Sequence, residues 1–299
     1  LAPEQLEAVQ MALRENVSVI TGGPGCGKTF TLNVILNILQ KYGVTYTLCA
    51  PTGKAARRMK EMTGRDAGTL HREFHFGGDP LMLTTDYLFI DESSMLASEL
   101  ILDVLKLVQH GKRIVFIGDS DQLPPVGPGE PLMQMLSNKN IAQTRLVYIF
   151  RQGKESGIIT AAHQINTGVV PVSMHGDFVV DYVTETTLFQ KVTNAIAKYE
   201  SMGYSRDDII VLTPLNKSEM GRKKLNGLMQ ETYNPDGVQI PGSFFRVGDH
   251  VIQTKNNYKM GDEGIMNGQV GLIVSGGDSE ETDAFADKAR FPSGPSCKV

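Results

Sequence analysis

Gly22-Gly23-Pro24-Gly25-Cys26-Gly27-Lys28-Thr29 fits the pattern G-x-x-x-x-G-K-[ST], and its neighbours give that pattern a meaning. Before it, Val17-Ser18-Val19-Ile20-Thr21 reads as a short buried strand. After it, Phe30 to Gln40 carries apolar residues at helical spacing. In a strand–loop–helix setting the glycines let successive backbone N–H groups turn inward around the β- and γ-phosphates of a nucleotide. The helix adds its positive N-terminal end. Lys28 supplies a point charge, and the Thr29 hydroxyl is a candidate Mg²⁺ ligand. Gly22, Gly23, Pro24, Gly25, Cys26, Gly27, Lys28, Thr29 and Phe30 are therefore the candidate nucleotide contacts. The alternative is a glycine-rich turn that binds nothing, and the flanking strand and helix argue against it.

Upstream, Pro3 and Glu4 suit a first helical turn, with Leu6, Val9 and Leu13 as the expected buried stripe. Gln5 precedes the loop by one helix. Its amide can read a donor and an acceptor on an adenine edge, and a solvated surface glutamine fits the same residues. Downstream, Thr45 to Ala50 reads as a strand running into a basic helix, where Lys54, Arg57 and Arg58 share one face. That face is a candidate for phosphate-backbone contact; a solvated helix face is the alternative.

Tyr87-Leu88-Phe89-Ile90-Asp91-Glu92 reads as a strand ending in two carboxylates. Behind a phosphate loop, Asp91 is the candidate for the Mg²⁺ shell and Glu92 for polarising the water that attacks the γ-phosphate. Arg113 to Gly118 is a further strand, and it aims Gln122 near the nucleotide at the ligand side of an open parallel sheet. Arg145 to Phe150, another strand, delivers Arg151, which could reach a triphosphate or serve a structural ion pair. In the second half, Ser156–Asn166, Thr186–Tyr199 and Glu219–Gln230 read as helices. Phe178–Val183, Asp208–Pro214, Asp249–Thr254 and Gln269–Val274 read as strands there, Asp208–Pro214 as a buried one. The alternation argues α/β throughout.

With 299 residues, 41% of them hydrophobic, the chain can bury two ordinary cores. A formal charge of −4 excludes a generally basic nucleic-acid coat, so any polyanion site is local. Three cysteines without a C-x-x-C pair, one of them inside the phosphate loop, point to a reducing compartment rather than a disulfide framework. Without a long apolar run or a leader pattern, the expectation is a soluble, cytoplasmic protein. The stretch from Ser275 onward reads as a flexible tail.

Taken together, Gly22–Thr29, Ala50–Met59, Thr69–Arg72, Ile90–Met95, Gly118–Gly129 and Phe150–Gln152 occur in the order of superfamily 1 helicases. The chain resembles the RecD-like DNA helicases in particular, through Ala50-Pro51-Thr52-Gly53-Lys54-Ala55-Ala56-Arg57-Arg58 and Gly118-Asp119-Ser120-Asp121-Gln122-Leu123-Pro124-Pro125-Val126. Val211–Pro214, Phe245–Asp249, Asn256–Tyr258 and Asn267-Gly268 extend the likeness to about residue 274.

The resemblance implies an α/β architecture of two RecA-like lobes with mainly parallel sheets: residues 1–149 with a short insertion near 73–86, and an incomplete second lobe over 150–274. Residues 275–299 would be tail or part of an inserted subdomain. It implies a 5′-to-3′ motor on single-stranded DNA that uses ATP and Mg²⁺ and acts in repair or recombination. Helicase–nuclease subunits or a single-strand-binding protein are its implied partners.

Under the resemblance Gln5 contacts adenine, Lys28, Thr29, Asp91 and Glu92 carry hydrolysis, and Gln122 and Arg151 couple the γ-phosphate to cleft closure. Pro51, Thr52, Lys54, Thr69 and His71 line the strand groove, joined by Arg57 from the basic face and by Thr213 and Asn256 from the second half. No His-x-x-Gln-Gly-type or Ala-Leu-Thr-Arg-type segment follows, and Arg72–Asp86 is short for a duplex-splitting pin. A fragment that binds nucleotide and strand with little turnover, and an RNA-directed motor, therefore stand as alternatives.

Overall fold

The structure, a computed structural model, describes the chain except residues 77, 148–155, 173–176, 219–220, 255–256, 258–264, 266, 276–288 and 291–299. The chain divides into two compact units, Leu1–Phe178 and Val179–Val299.

The first unit is built on six parallel strands: β1 (Val17–Gly22), β2 (Tyr46–Ala50), β3 (Gly68–Thr69), β4 (Tyr87–Ile90), β5 (Arg113–Gly118) and β6 (Ala142–Leu146). Their spatial order is β3-β2-β4-β5-β1-β6. Helices α1 (Pro3–Arg14), α2 (Lys28–Lys41), α3 (Gly53–Thr63), α4 (Leu70–Glu73), α5 (Ser98–Leu107), α6 (Pro131–Ser137) and α7 (Gly157–Asn166) complete the unit. Strands buried on both faces need apolar residues at successive positions, as Val19-Ile20, Leu88-Phe89-Ile90 and Ile114 to Ile117 supply.

Alternate residues then point to opposite sides. Ile20, Phe89, Val115 and Ile117 pack with α1, α2 and Met59 of α3, whereas Val19, Leu88, Ile90 and Phe116 pack with α4, α5 and α6. The chain leaves β1 toward β2 on one side and returns on the other side as β6. The carboxyl end of β1 therefore sits where strand order reverses, which is where open parallel sheets hold their ligands.

The second unit carries α8 (Glu185–Ser201), α9 (Arg222–Tyr233) and an antiparallel sheet in the order β7-β8-β9, formed by β7 (His250–Ile252), β8 (Val270–Ile273) and β9 (Ala289–Arg290). Its small core joins Ile240 and Ile273 to Phe245, Val247 and Val251. Beside that core, the buried Asp249 carboxylate accepts hydrogen bonds from Asn234 Nδ2 (2.7 Å), Gln230 Nε2 and the Arg246 backbone N–H (2.8 Å).

Three local expectations are corrected. On α1, Leu6 is 46% exposed; the inner face is Gln5, Ala8, Val9, Met11 and Ala12, one residue earlier than the apolar pattern implies. Asp208–Pro214 is not a buried strand: a 3₁₀ turn spans Arg206–Asp208, and Ile210 and Leu212 are exposed. Phe178–Val183 is not a continuous strand among the described residues: Phe178 makes a single bridge, and Val179 and Tyr182 are exposed. An apolar run becomes a strand only where neighbours take up its N–H and C=O groups.

Candidate active site

β1 hands the chain to the loop at Gly22, where a Cβ would lie 2.6 Å from Leu146 O of β6 and 2.6 Å from Cys26 Sγ. Only glycine permits that approach, so the loop's first residue is pressed against the neighbouring strand. Gly25 (φ 78°) and Gly27 (φ 84°) then take left-handed conformations, which bring the backbone round to the start of α2. Cys26 packs inward, its thiol donating to Gly23 O at 2.8 Å, and burial pushes that thiol's pKa up despite the nearby Lys28. Lys28 Nζ donates to the carbonyls of Gly22 and Gly23, the latter at 3.1 Å, so its charge lies over the loop. Thr29 follows in the first turn of α2, half-buried.

Two strands away, β4 ends at Ile90 and places Asp91 beside the end of β2, where Asp91 N–H donates to Cys49 O at 2.9 Å. Burial raises the Asp91 pKa. Opposing that rise are the Glu92 N–H, which the Asp91 carboxylate accepts at 2.9 Å, and the positive charges of Lys28 and Arg58. Such a carboxylate, desolvated and facing cations, is suited to a divalent ion. Glu92 adopts φ 53°, a left-handed conformation that costs a non-glycine residue roughly 1–2 kcal/mol. The turn that imposes it is fixed by the Ser93 hydroxyl, which donates to Ile90 O at 2.7 Å.

Between β1 and β4 lies β5, so its exit loop completes the row. Ser120 N–H donates to the buried Thr21 hydroxyl at 3.2 Å, tying that loop to the strand that feeds the phosphate loop. Gln122 Oε1 accepts from Ser94 Oγ at 3.2 Å, so Gln122 is linked to the turn that follows Glu92. Gln5 is buried rather than solvated. Its Oε1 accepts from Ala2 N at 3.1 Å, while its Nε2 is buried without a hydrogen-bond partner. A buried amide donor left open costs about 1–3 kcal/mol. An acceptor such as an adenine ring nitrogen would satisfy it. The glycine loop with its left-handed turns, the lysine, the buried carboxylate and this open donor fit a Mg²⁺–adenine nucleotide.

The basic face resolves into three roles. Thr52 caps α3 by accepting from Ala55 N at 3.2 Å, and beyond it Lys54 is exposed. Arg57 is held by Glu61 at 3.0 Å, and Arg58 acts on Asp91. That last coupling was missed by the sequence reading; the signal was the i, i+4 relation of Lys54 and Arg58 on the helix leaving the strand next to β4. Pro51 and Thr69 stand at the ends of the adjacent strands β2 and β3, and Thr69 caps α4 by accepting from Arg72 N at 3.2 Å. His71 follows, exposed. Thr213 belongs to the second unit, where its hydroxyl accepts from Leu215 N at 3.4 Å. Arg151 and Asn256 lie outside the described residues. Phe30, exposed, projects from the first turn of α2.

A family model described as an AAA domain matches residues 1–180, and one described as the SH3 domain of ATP-dependent RecD-like DNA helicases matches residues 225–286. The ATP-dependent RecD2 DNA helicase of Deinococcus radiodurans is 34% identical over 282 residues, covering 92% of this chain and 38% of the relative. The RecBCD enzyme subunit RecD of Mycolicibacterium smegmatis is 27% identical over 347 residues, covering 97% of this chain and 60% of the relative. The chain thus spans 38% and 60% of the length of these two relatives. Among solved structures, Bacteroides Pif1 bound to ssDNA is similar at a TM-score of 0.48 and 19% identity, over 93% of this chain and 70% of that one. With the AAA domain model matching residues 1–180, more than half its length, the chain belongs to the AAA domain family.

Proposed function

We propose that the chain is the ATP-hydrolysing motor part of a DNA helicase that moves 5′-to-3′ on single-stranded DNA in repair or recombination, in the cytoplasm. The observation that carries this reading is the row of Lys28, Asp91–Glu92 and Gln122 along the carboxyl ends of three strands in one parallel sheet. The loop N–H groups and Lys28 hold the β- and γ-phosphates. Thr29 and Asp91 would hold the Mg²⁺, which would supply charge neutralisation at the triphosphate. Glu92 orients and deprotonates the attacking water, and Gln122, tethered through Ser94 to the Glu92 turn, reports the γ-phosphate. Gln5 recognises the adenine edge. Arg151 is assigned the second positive charge on the triphosphate. Pro51, Thr52, Lys54, Arg57, Thr69, His71, Thr213 and Asn256 are assigned to the strand.

The test is ATP turnover with and without oligonucleotide. Turnover rises on adding single-stranded DNA, rises less with the matched RNA, and collapses by at least about 10²-fold in Lys28→Ala. A rate indifferent to DNA overturns the motor reading, and equal stimulation by RNA overturns the DNA preference. The likeness to the RecBCD enzyme subunit RecD of M. smegmatis supports a second reading, in which the chain is the nucleotide- and strand-binding part of a larger helicase–nuclease assembly. Intact ATP affinity with background turnover would favour that second reading.

A further inference from the structure

The segment Leu70–Phe76 folds back on itself beside the end of β2. Phe74 N–H donates to Leu70 O at 3.0 Å and Phe76 N–H to His71 O at 3.0 Å. These bonds, with a left-handed His75 (φ 53°), set three rings in a row from the core to the surface. Phe74 is 2% exposed and belongs to the core cluster that contains Ile90 and Leu96, the apolar residues flanking the Asp91–Glu92 turn. Phe76 stacks on it, with centroids 5.8 Å apart and planes at 23°. His71 meets Phe76 edge-on at 5.8 Å and 84°, and is itself exposed.

An exposed imidazole needs no such brace in order to be solvated; the ladder fixes the plane of an exposed ring. Its surroundings favour a polyanion. The register Ala50↔Thr69 sets the exits of β2 and β3 side by side, so the helices that carry Lys54 and Arg72 start from adjacent strand ends, and neither residue is in an ion pair among the described residues. The nearby carboxylates are engaged elsewhere, Glu61 with Arg57 and Glu73 packed where a Gly68 Cβ would be.

We propose that the His71 ring, held in plane by Phe76, is a stacking platform for one unpaired nucleobase of a single strand whose phosphates lie on Lys54 and Arg72. This rests on the strand-binding reading above and goes beyond it by making part of the affinity depend on the base. Phe76 is a positioning residue and touches no ligand. Base–aromatic stacking tolerates any base, because every base has a π-face.

The experiment measures binding of the full chain by fluorescence anisotropy, at fixed low salt, to a labelled oligothymidylate and to an abasic strand of equal length. Wild type binds the thymidylate about 5- to 100-fold more tightly than the abasic strand. His71→Ala removes most of that ratio. His71→Phe, which keeps a ring and discards every charge and hydrogen bond, preserves it. Phe76→Ala lowers the ratio while leaving abasic-strand affinity in place, and Phe76→Tyr restores it. A ratio near one in wild type, or His71→Phe as damaging as His71→Ala, overturns the platform, the latter marking His71 as a phosphate contact. Salt-sensitive binding to both strands that weakens in Lys54→Ala would leave the strand-binding reading standing in that event. Binding to neither strand overturns both.

Discussion

The two ends of β4 carry an aspartate each, and the two are treated in opposite ways. Asp86, at the amino end, accepts from Thr45 N (3.0 Å) and Thr45 Oγ1 (2.6 Å) and faces Lys112 at 3.7 Å, so its pKa is lowered. Asp91, at the carboxyl end, is desolvated, and its pKa is raised. The rest of the sheet follows suit. At the amino end Arg113 of β5 donates to Leu13 O (2.7 Å) and to the Tyr87 hydroxyl (2.6 Å), lacing β5, β4 and α1 together. At the carboxyl end stand a left-handed glutamate, a buried amide donor without a partner, and a lysine resting on its own loop. Apart from the buried Ser18 hydroxyl of β1, which has no partner, the amino edge is tied together, while the carboxyl edge is under stress, which is what separates a holding edge from a working one.

The sharpest way to break this comparison is Glu92→Gln. At the working edge it lowers turnover by roughly 10²–10⁴-fold with ATP affinity retained, read by steady-state hydrolysis alongside nucleotide titration. A parallel loss of affinity would mean that Glu92 holds the turn rather than the water. At the holding edge, Arg113→Ala leaves a carbonyl and a buried hydroxyl short of a donor and costs about 1–3 kcal/mol in denaturant unfolding, with turnover per folded molecule unchanged.

Smaller effects sharpen the contrast. A carboxylate whose folded pKa is raised costs stability once ionised, and costs nothing below its unfolded value of 3.8. Asp91→Asn therefore raises the Tm modestly at pH 7 and leaves it unchanged below pH 3.8, while impairing Mg²⁺-dependent hydrolysis. Asp86 has the opposite sign: its contribution is present above 3.8 and is lost as pH falls through its lowered folded value. Asp86→Asn accordingly lowers the Tm slightly at pH 7 and ceases to do so in strong acid. Thermal melts of both variants across pH would show two curves of opposite slope; the same slope for both would refute the assignment of edges.

Much of the working edge was legible in the sequence, because each part is a local pattern. The phosphate loop needs its glycines in order, β5 runs Arg113–Gly118 as its unbroken apolar run implies, and Asp91-Glu92 falls where β4 stops. What depends on packing was not legible. Gln5 and Leu6 are neighbours on one helix, and only the position of α1 against the sheet decides that the amide goes in and the leucine out. Ile209–Leu212 is as apolar as β4, yet among the described residues it forms no strand ladder of the kind β4 makes with β2 and β5. The Arg58–Asp91 coupling needed the adjacency of β2 and β4, which no single motif encodes.

The pressing of Gly22 against Leu146 has a consequence for biosynthesis. β1 is flanked by β5 and β6, both made long after it, so the strand that feeds the loop has no partner while the ribosome is still extending the first hundred residues. A nascent chain arrested before Leu146 clears the exit tunnel holds every letter of the phosphate-binding motif and lacks the wall that shapes it. Nucleotide capture should therefore begin abruptly, late in translation, rather than growing in step with the emerging polypeptide.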